Sequence, residues 1–113
     1  MDLTIEVAHD EHEQVRKVVL IGEIDAYTAP KLKETIVPLT EENGVEVVID
    51  MHAISYMDST GLGVFISALK STKEHGSSLT FMNPQERVYR LFKITGLTEI
   101  MNIQTDYTVR GGM

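Results

Sequence analysis

The chain has 113 residues, 42% hydrophobic and 24% charged, which places it among ordinary single-domain globular proteins and not among disordered ones. A net charge of −7 argues against a generic nucleic-acid coat or an anionic-membrane binder, because both need cationic surface. The absence of Cys removes disulfides, thiolate metal sites, iron–sulfur clusters and cysteine nucleophiles, and it fits a reducing compartment.

Leu3, Ile5 and Val7 alternate with Thr4, Glu6 and Ala8, the pattern of a half-buried strand. This start is acidic and lacks a basic n-region, no apolar run approaches the ~20 residues of a membrane helix, and a cytoplasmic location is expected. His9 to Glu13 is a polar connector. Val15 to Ile21 holds a β-branched and aliphatic run that predicts a second strand, buried on both faces at its end and stopped by Gly22. The short connector implies an antiparallel hairpin. Ala29, Leu32, Ile36 and Leu39 then recur at helical spacing, with Pro30 in the first turn and Pro38 expected to end or kink the helix.

Val45 to Ile49 predicts a third strand, and Met51 to Asp58 a loop. Leu62, Phe65, Ile66 and Leu69 predict an amphipathic helix running to about Glu74 and terminated at His75-Gly76. Leu79 and Phe81 mark a fourth strand. Asn83-Pro84-Gln85-Glu86 offers Asn as N-cap and Pro at N1 of a third helix, whose buried face is Val88, Leu91 and Phe92 and whose end is Gly96. Ile100 to Ile103 suggests a short last strand, and Tyr107 to Met113 a frayed tail, leaving a core of about 3–104 within one domain spanning 1–113. The order β-β-α-β-α-β-α-β predicts an α/β fold: a mixed, mostly parallel sheet with an N-terminal antiparallel hairpin and three main helices.

Functional loops in such sheets lie beyond the carboxyl ends of the parallel strands. Two qualify, one holding Asp25 and one holding Tyr56-Met57-Asp58-Ser59-Thr60-Gly61, and the crossovers bring both to the same edge. In the second, Asp58 or Ser59 can cap a helix, and Gly61 and Gly63 can let it pack closely. The same residues also read as an exposed hydroxyl on bare backbone, where free N–H groups and the positive dipole end would suit an added phosphate. His9 and His12 with their acidic neighbours match no established metal spacing and read as a solvated turn. His52 and His75 read as ordinary. Asp50 ends the predicted third strand as a receiver domain's phosphoacceptor would, or as an ordinary strand-ending Asp. No P-loop, H-E-x-x-H or G-x-S-x-G is present.

Gly22-Glu23-Ile24-Asp25-Ala26-Tyr27-Thr28-Ala29-Pro30 and Tyr56-Met57-Asp58-Ser59-Thr60-Gly61-Leu62-Gly63-Val64-Phe65 resemble the STAS-domain anti-sigma factor antagonists of bacteria. Arg90-Leu91-Phe92 and Thr95-Gly96-Leu97 resemble that family's C-terminal helix and turn, so the likeness runs from about Leu3 to Ile103. The Asp-Ser-Thr form is most similar to the antagonist of the general stress-response, sigma-B, pathway. The resemblance implies a STAS fold and a partner switch that is not an enzyme. The unphosphorylated protein would bind an anti-sigma factor that is also a serine kinase, freeing the sigma factor. The kinase, using its own ATP and magnesium, would phosphorylate Ser59 and end the interaction, and a PP2C-type phosphatase would reverse this. Asp25, Asp58, Ser59, Thr60 and Gly61 match the partner-binding region. No cofactor, metal, nucleic acid or membrane is implied for the chain itself, and the free protein is expected to be a monomer. Two alternatives stay open: a receiver-like domain using Asp50, and a small ligand-binding STAS module, which would need a pocket with converging polar groups.

Overall fold

In the computed structural model, which describes residues 2–10 and 12–105, the strands are β1 (Leu3–Asp10), β2 (Val15–Ile24), β3 (Glu46–Met57), β4 (Ser78–Met82) and β5 (Asn102–Gln104). The helices are α1 (Ala29–Leu39), α2 (Ser59–His75) and α3 (Glu86–Ile94), with a 3-10 turn at Leu97–Glu99. Element order is the expected one. The sheet runs β1-β2-β3-β4-β5, with β1 antiparallel to β2 and every later neighbour parallel. The proposed tail, Tyr107 to Met113, lies outside the described residues.

The helices share one face of the sheet. Phe65 of α2, Phe81 of β4 and Phe92 of α3 meet edge-on or tilted, with ring centroids 5.1 to 6.2 Å apart. Leu32 and Ile36 of α1 are fully buried, and Thr40 at its end bonds Ser71 of α2 at 2.6 Å. The aliphatic remainder of the core comes from Val18 and Leu20 of β2 and Val47, Ile49, Met51 and Ile54 of β3. Because only one face is covered, β2 is not buried on both sides: Val18 and Leu20 point inward, while Ile21 on the other face is 43% exposed. Thr80 is buried on that outer face and is satisfied there by Glu46 Oε2 at 2.9 Å and Asn102 Nδ2 at 3.0 Å.

Three boundaries differ from expectation, each for a backbone reason. Gly22 does not end β2. It sits within the strand at φ +125°, where an added Cβ would fall on the Asp2 carbonyl, and Glu23 N–H bonds Asp2 O at 2.9 Å. Met51 to Met57 is strand, not loop. The register with β2 steps from Val19↔Asp50 to Ile21↔Ala53, and again from Gly22↔Ile54 to Glu23↔Tyr56, so β3 carries one extra residue at each step. Each bulge resets the alternation, which is why inward Ile49, Met51, Ile54 and Met57 do not keep a period of two. α3 begins at Glu86, not behind an Asn83 cap, because Asn83 takes φ +55° and gives its N–H to Gln104 O, tying the end of β4 to β5.

The extension of β3 also removes the premise of the receiver reading. Asp50 lies inside a strand, where its Oδ1 accepts from His52 N–H at 3.1 Å. His75 turns back on its own helix, Nδ1 being 2.9 Å from Ser71 O. The hairpin turn is organised by Asp10 Oδ1, which accepts from His12 and Glu13 N–H, and no metal-binding group of His, Asp or Glu occurs among the described residues.

The two glycines of α2 serve different ends. A Cβ on Gly61 would meet Met57 Cγ at 2.5 Å and Ile24 Cγ2 at 2.8 Å, whereas a Cβ on Gly63 would meet nothing within 4 Å. Gly61→Val is therefore expected to destabilise by ~1–3 kcal/mol through overpacking. Gly63→Ala is expected to stabilise by up to ~1 kcal/mol through helix propensity. Urea unfolding midpoints check both, and equal shifts of the same sign would contradict the assignment.

Candidate functional site

β2 and β3 end side by side, Glu23 opposite Tyr56 and Ile24 opposite Met57, and Asp58 N–H continues the ladder to Ile24 O at 3.3 Å. The two sequence-predicted loops thus do meet at one edge of the sheet. Asp58 leaves the strand in an extended conformation and caps α2: its Oδ1 accepts from Thr60 N–H at 2.9 Å. Its carbonyl accepts from Gly61 and Leu62 N–H at 3.1 and 3.3 Å. One residue therefore takes up three amides of the first turn. The free N–H groups expected here for a phosphate therefore do not include those of Thr60, Gly61 and Leu62, which Asp58 engages.

Ser59 and Thr60 are exposed on the first turn of α2, and the Ser59 hydroxyl bonds no other described residue. Gly61 is buried beneath them, seated on Ile24 and Met57, so its part is to bring the turn down onto the strand ends rather than to offer a contact of its own.

Asp25 is a buried turn residue, not an exposed loop acid. It is 8% exposed, and its Oδ1 accepts from Tyr27 and Thr28 N–H at 2.9 and 3.1 Å. Thr28 Oγ1 in return accepts from Asp25 N–H at 2.9 Å and donates to Glu23 O at 2.9 Å. This reciprocal turn joins β2 to α1 and satisfies amides that a helix start would otherwise leave open. It also holds Tyr27 at the tip, 88% exposed.

Two shallow recesses flank this turn. One, about 560 Å³, is lined by Glu23, Asp25, Tyr27, Ser55, Tyr56 and Arg87. The other, about 420 Å³, lies between the first turns of α1 and α2 and is lined by Ala26, Ala29, Pro30, Lys33, Thr60, Gly63 and Val64. Glu23 Oε1 in the first is buried with no hydrogen-bond partner among the described residues. Sequence reasoning did not single out Tyr27, Tyr56, Lys33 and Arg87. Tyr27 had a usable signal, a large aromatic out of phase with the Ala29-Leu32-Ile36 stripe. Arg87 had none, because it reaches the site from α3.

Neither recess brings a nucleophile to a base. The exposed hydroxyls of Ser59 and Thr60 stand on a helix start with no histidine or lysine among the described residues bonded to them, an arrangement suited to being modified or bound. Since Asp25 holds two amides while buried, Asp25→Ala is expected to cost ~1–2 kcal/mol of stability. Asp25→Asn, which keeps the accepting oxygen, should recover most of that cost. Unfolding midpoints of the pair decide this, and a loss under ~0.5 kcal/mol for Asp25→Ala, the span of ordinary surface changes, would contradict it.

Comparison with known proteins places this arrangement. The STAS domain family model matches residues 6–110. The chain is 42% identical over 104 residues to the anti-sigma-B factor antagonist of Listeria monocytogenes, covering 92% of this chain and 90% of that one. It is 46% identical over 103 residues to the anti-sigma-B factor antagonist of Bacillus subtilis, covering 91% and 92%. Among solved structures, the fold is that of the anti-sigma factor antagonist SpoIIAA in its unphosphorylated form, with TM-score 0.74, 20% identity and coverage of 96% and 97%. The phosphorylated form of the Bacillus protein SpoIIAA is similar too, with TM-score 0.69, 17% identity and the same coverage, 96% and 97%. The chain belongs to the STAS domain family, alongside relatives named anti-sigma-B factor antagonists.

Proposed function

We propose that the chain is an anti-sigma factor antagonist that works by partner switching, with Ser59 as the phosphoacceptor. The observation that carries the reading is the Ser59 hydroxyl itself: exposed, free of hydrogen bonds to described residues, and raised on a side-chain-capped helix start next to the recess that Thr60 lines. The names of the relatives at 42% and 46% identity support it. So does the fact that SpoIIAA, which has this fold, was solved both with and without phosphate.

In this reading the unphosphorylated chain binds an anti-sigma factor, which releases its sigma factor in the cytoplasm. The same partner is a serine kinase that brings its own ATP and magnesium, and a PP2C-type phosphatase restores the binding form. The antagonist performs no catalysis. Asp58, Ser59 and Thr60 form the contact surface with Tyr27. Asp25 and Gly61 act from beneath, one by fixing the turn that presents Tyr27 and the other by seating α2.

The charge arithmetic is sufficient for a switch at the interface. A phosphate adds about −1.5 to −2 charge at neutral pH. Because Ser59 is exposed and Asp58 holds the Thr60, Gly61 and Leu62 amides, that charge faces whatever docks on the turn. Two unit charges ~4 Å apart at an effective dielectric of ~20 interact by roughly 4 kcal/mol. A hundredfold loss of affinity needs only about 2.8 kcal/mol. One badly placed partner carboxylate, or the cost of desolvating the phosphate, is enough.

Incubation with the anti-sigma kinase copurified from the native cell and Mg-ATP, followed by peptide mapping, tests the assignment. A single phosphate on Ser59 is expected, with Ser59→Ala remaining bound in the presence of ATP and Ser59→Asp losing part of the affinity. Substantial phosphate on Thr60 or Ser55 of the Ser59→Ala protein would overturn it.

A further inference from the structure

Far from Ser59, a cleft of about 300 Å³ opens between the C-terminal half of α2 and the starting ends of β4 and β5. Ile100 and Asn102, which follow the Leu97–Glu99 turn, close its third side. Its floor is apolar. Leu79 is buried, Leu69 is half-buried, Ile66 is 40% exposed and Ile100 is 59% exposed. These are unusually open aliphatic side chains to find facing one another across a concavity.

The rim carries charge of one sign. Ile66, Leu69, Lys70 and Lys73 follow i, i+3, i+4, i+7 on α2, so both lysines share the stripe that walls the cleft. No acid lines it, and neither lysine has an ion-pair partner among the described residues. On a chain of net charge −7, two unpaired cations above an apolar slot are a local reversal of sign. Ser77, Ser78 and Asn102 add hydrogen-bonding groups to the same walls.

We propose that this cleft binds a medium-chain fatty carboxylate, its acyl chain lying on Ile66, Leu69, Leu79 and Ile100 and its carboxylate between Lys70 and Lys73. The volume stands at the lower bound of small-molecule sites, ~300 Å³, and suits one unbranched chain. Aliphatic floor and cationic rim together select an amphiphile whose head is negative. The site is independent of the switch: Ser59 and Lys70 lie about 16 Å apart along α2.

Titration of the full chain with sodium decanoate below its micelle-forming concentration, followed by methyl and amide NMR, tests this. Saturable shifts are expected at Ile66, Leu69, Leu79 and Ile100, with octanoate binding about tenfold more weakly for its two missing methylenes. Replacing both exposed lysines, Lys70→Gln with Lys73→Gln, should weaken decanoate at least tenfold while leaving decanol binding and the unfolding midpoint unchanged. Ile100→Ser, at an exposed position, should weaken both ligands. The proposal is overturned by an absence of saturable shifts, by shifts centred elsewhere, by decylamine binding as tightly as decanoate, or by unchanged affinity in the double lysine variant.

Discussion

Everything at the functional edge depends on how closely α2 sits on the ends of β2 and β3. The contact is made at Gly61, where even one added carbon would meet Met57 and Ile24 at under 3 Å. Parallel pairing of Ile24 with Met57 builds the seat, and the amide of Asp58 extends that pairing by one more bond. Only from that position can Asp58 turn its carboxylate back onto Thr60 and leave Ser59 outward. A bulkier residue at position 61 would lift the helix start, and the cap, the serine and the neighbouring recesses would move with it. The two bulges of β3 belong to the same constraint, because they let a twelve-residue strand stay in contact with β2 while delivering Met57 to the inner face.

The division of labour among the acids follows from burial. Asp25 and Asp58 both stand beside helix starts and both accept amide hydrogens, yet Asp25 is buried while Asp58 is half-buried beside an exposed serine. Asp25 fixes the shape of the face, and Asp58 is part of it. This gives a reason why a charge added at Ser59 can act on a partner without disturbing the chain that carries it. Asp58 already holds the Thr60, Gly61 and Leu62 amides, so the phosphate displaces none of these bonds.

Much of this was legible in the sequence. The β-β-α-β-α-β-α-β order followed from periodicity and from Pro30, Gly76 and Gly96 at helix ends. The Asp-Ser-Thr-Gly stretch stood out because a helix start rarely carries Gly61 and Gly63 together. What was not legible had local causes. The second half of β3 read as loop because bulges broke its alternation, and Asn83 read as a cap because nothing in the sequence says its amide is needed by β5. The burial of Asp25 was hidden because a reciprocal Asp–Thr turn looks the same in sequence as a solvated loop. Arg87 and the open cleft beside Lys70 and Lys73 depend on contacts between distant elements, which no single stretch encodes.

In the proposed function the switch operates on a preformed surface, by charge and bulk at Ser59. Backbone amide NMR spectra of the unphosphorylated and Ser59-phosphorylated chain test it most directly. Shifts confined to Asp58–Gly63 and the adjoining Asp25–Thr28 turn are expected, with the amides of the sheet unmoved and the unfolding transition equally cooperative. Shifts spread through β2, β3 and β4, together with altered cooperativity, would show that phosphorylation rearranges the fold and would contradict it.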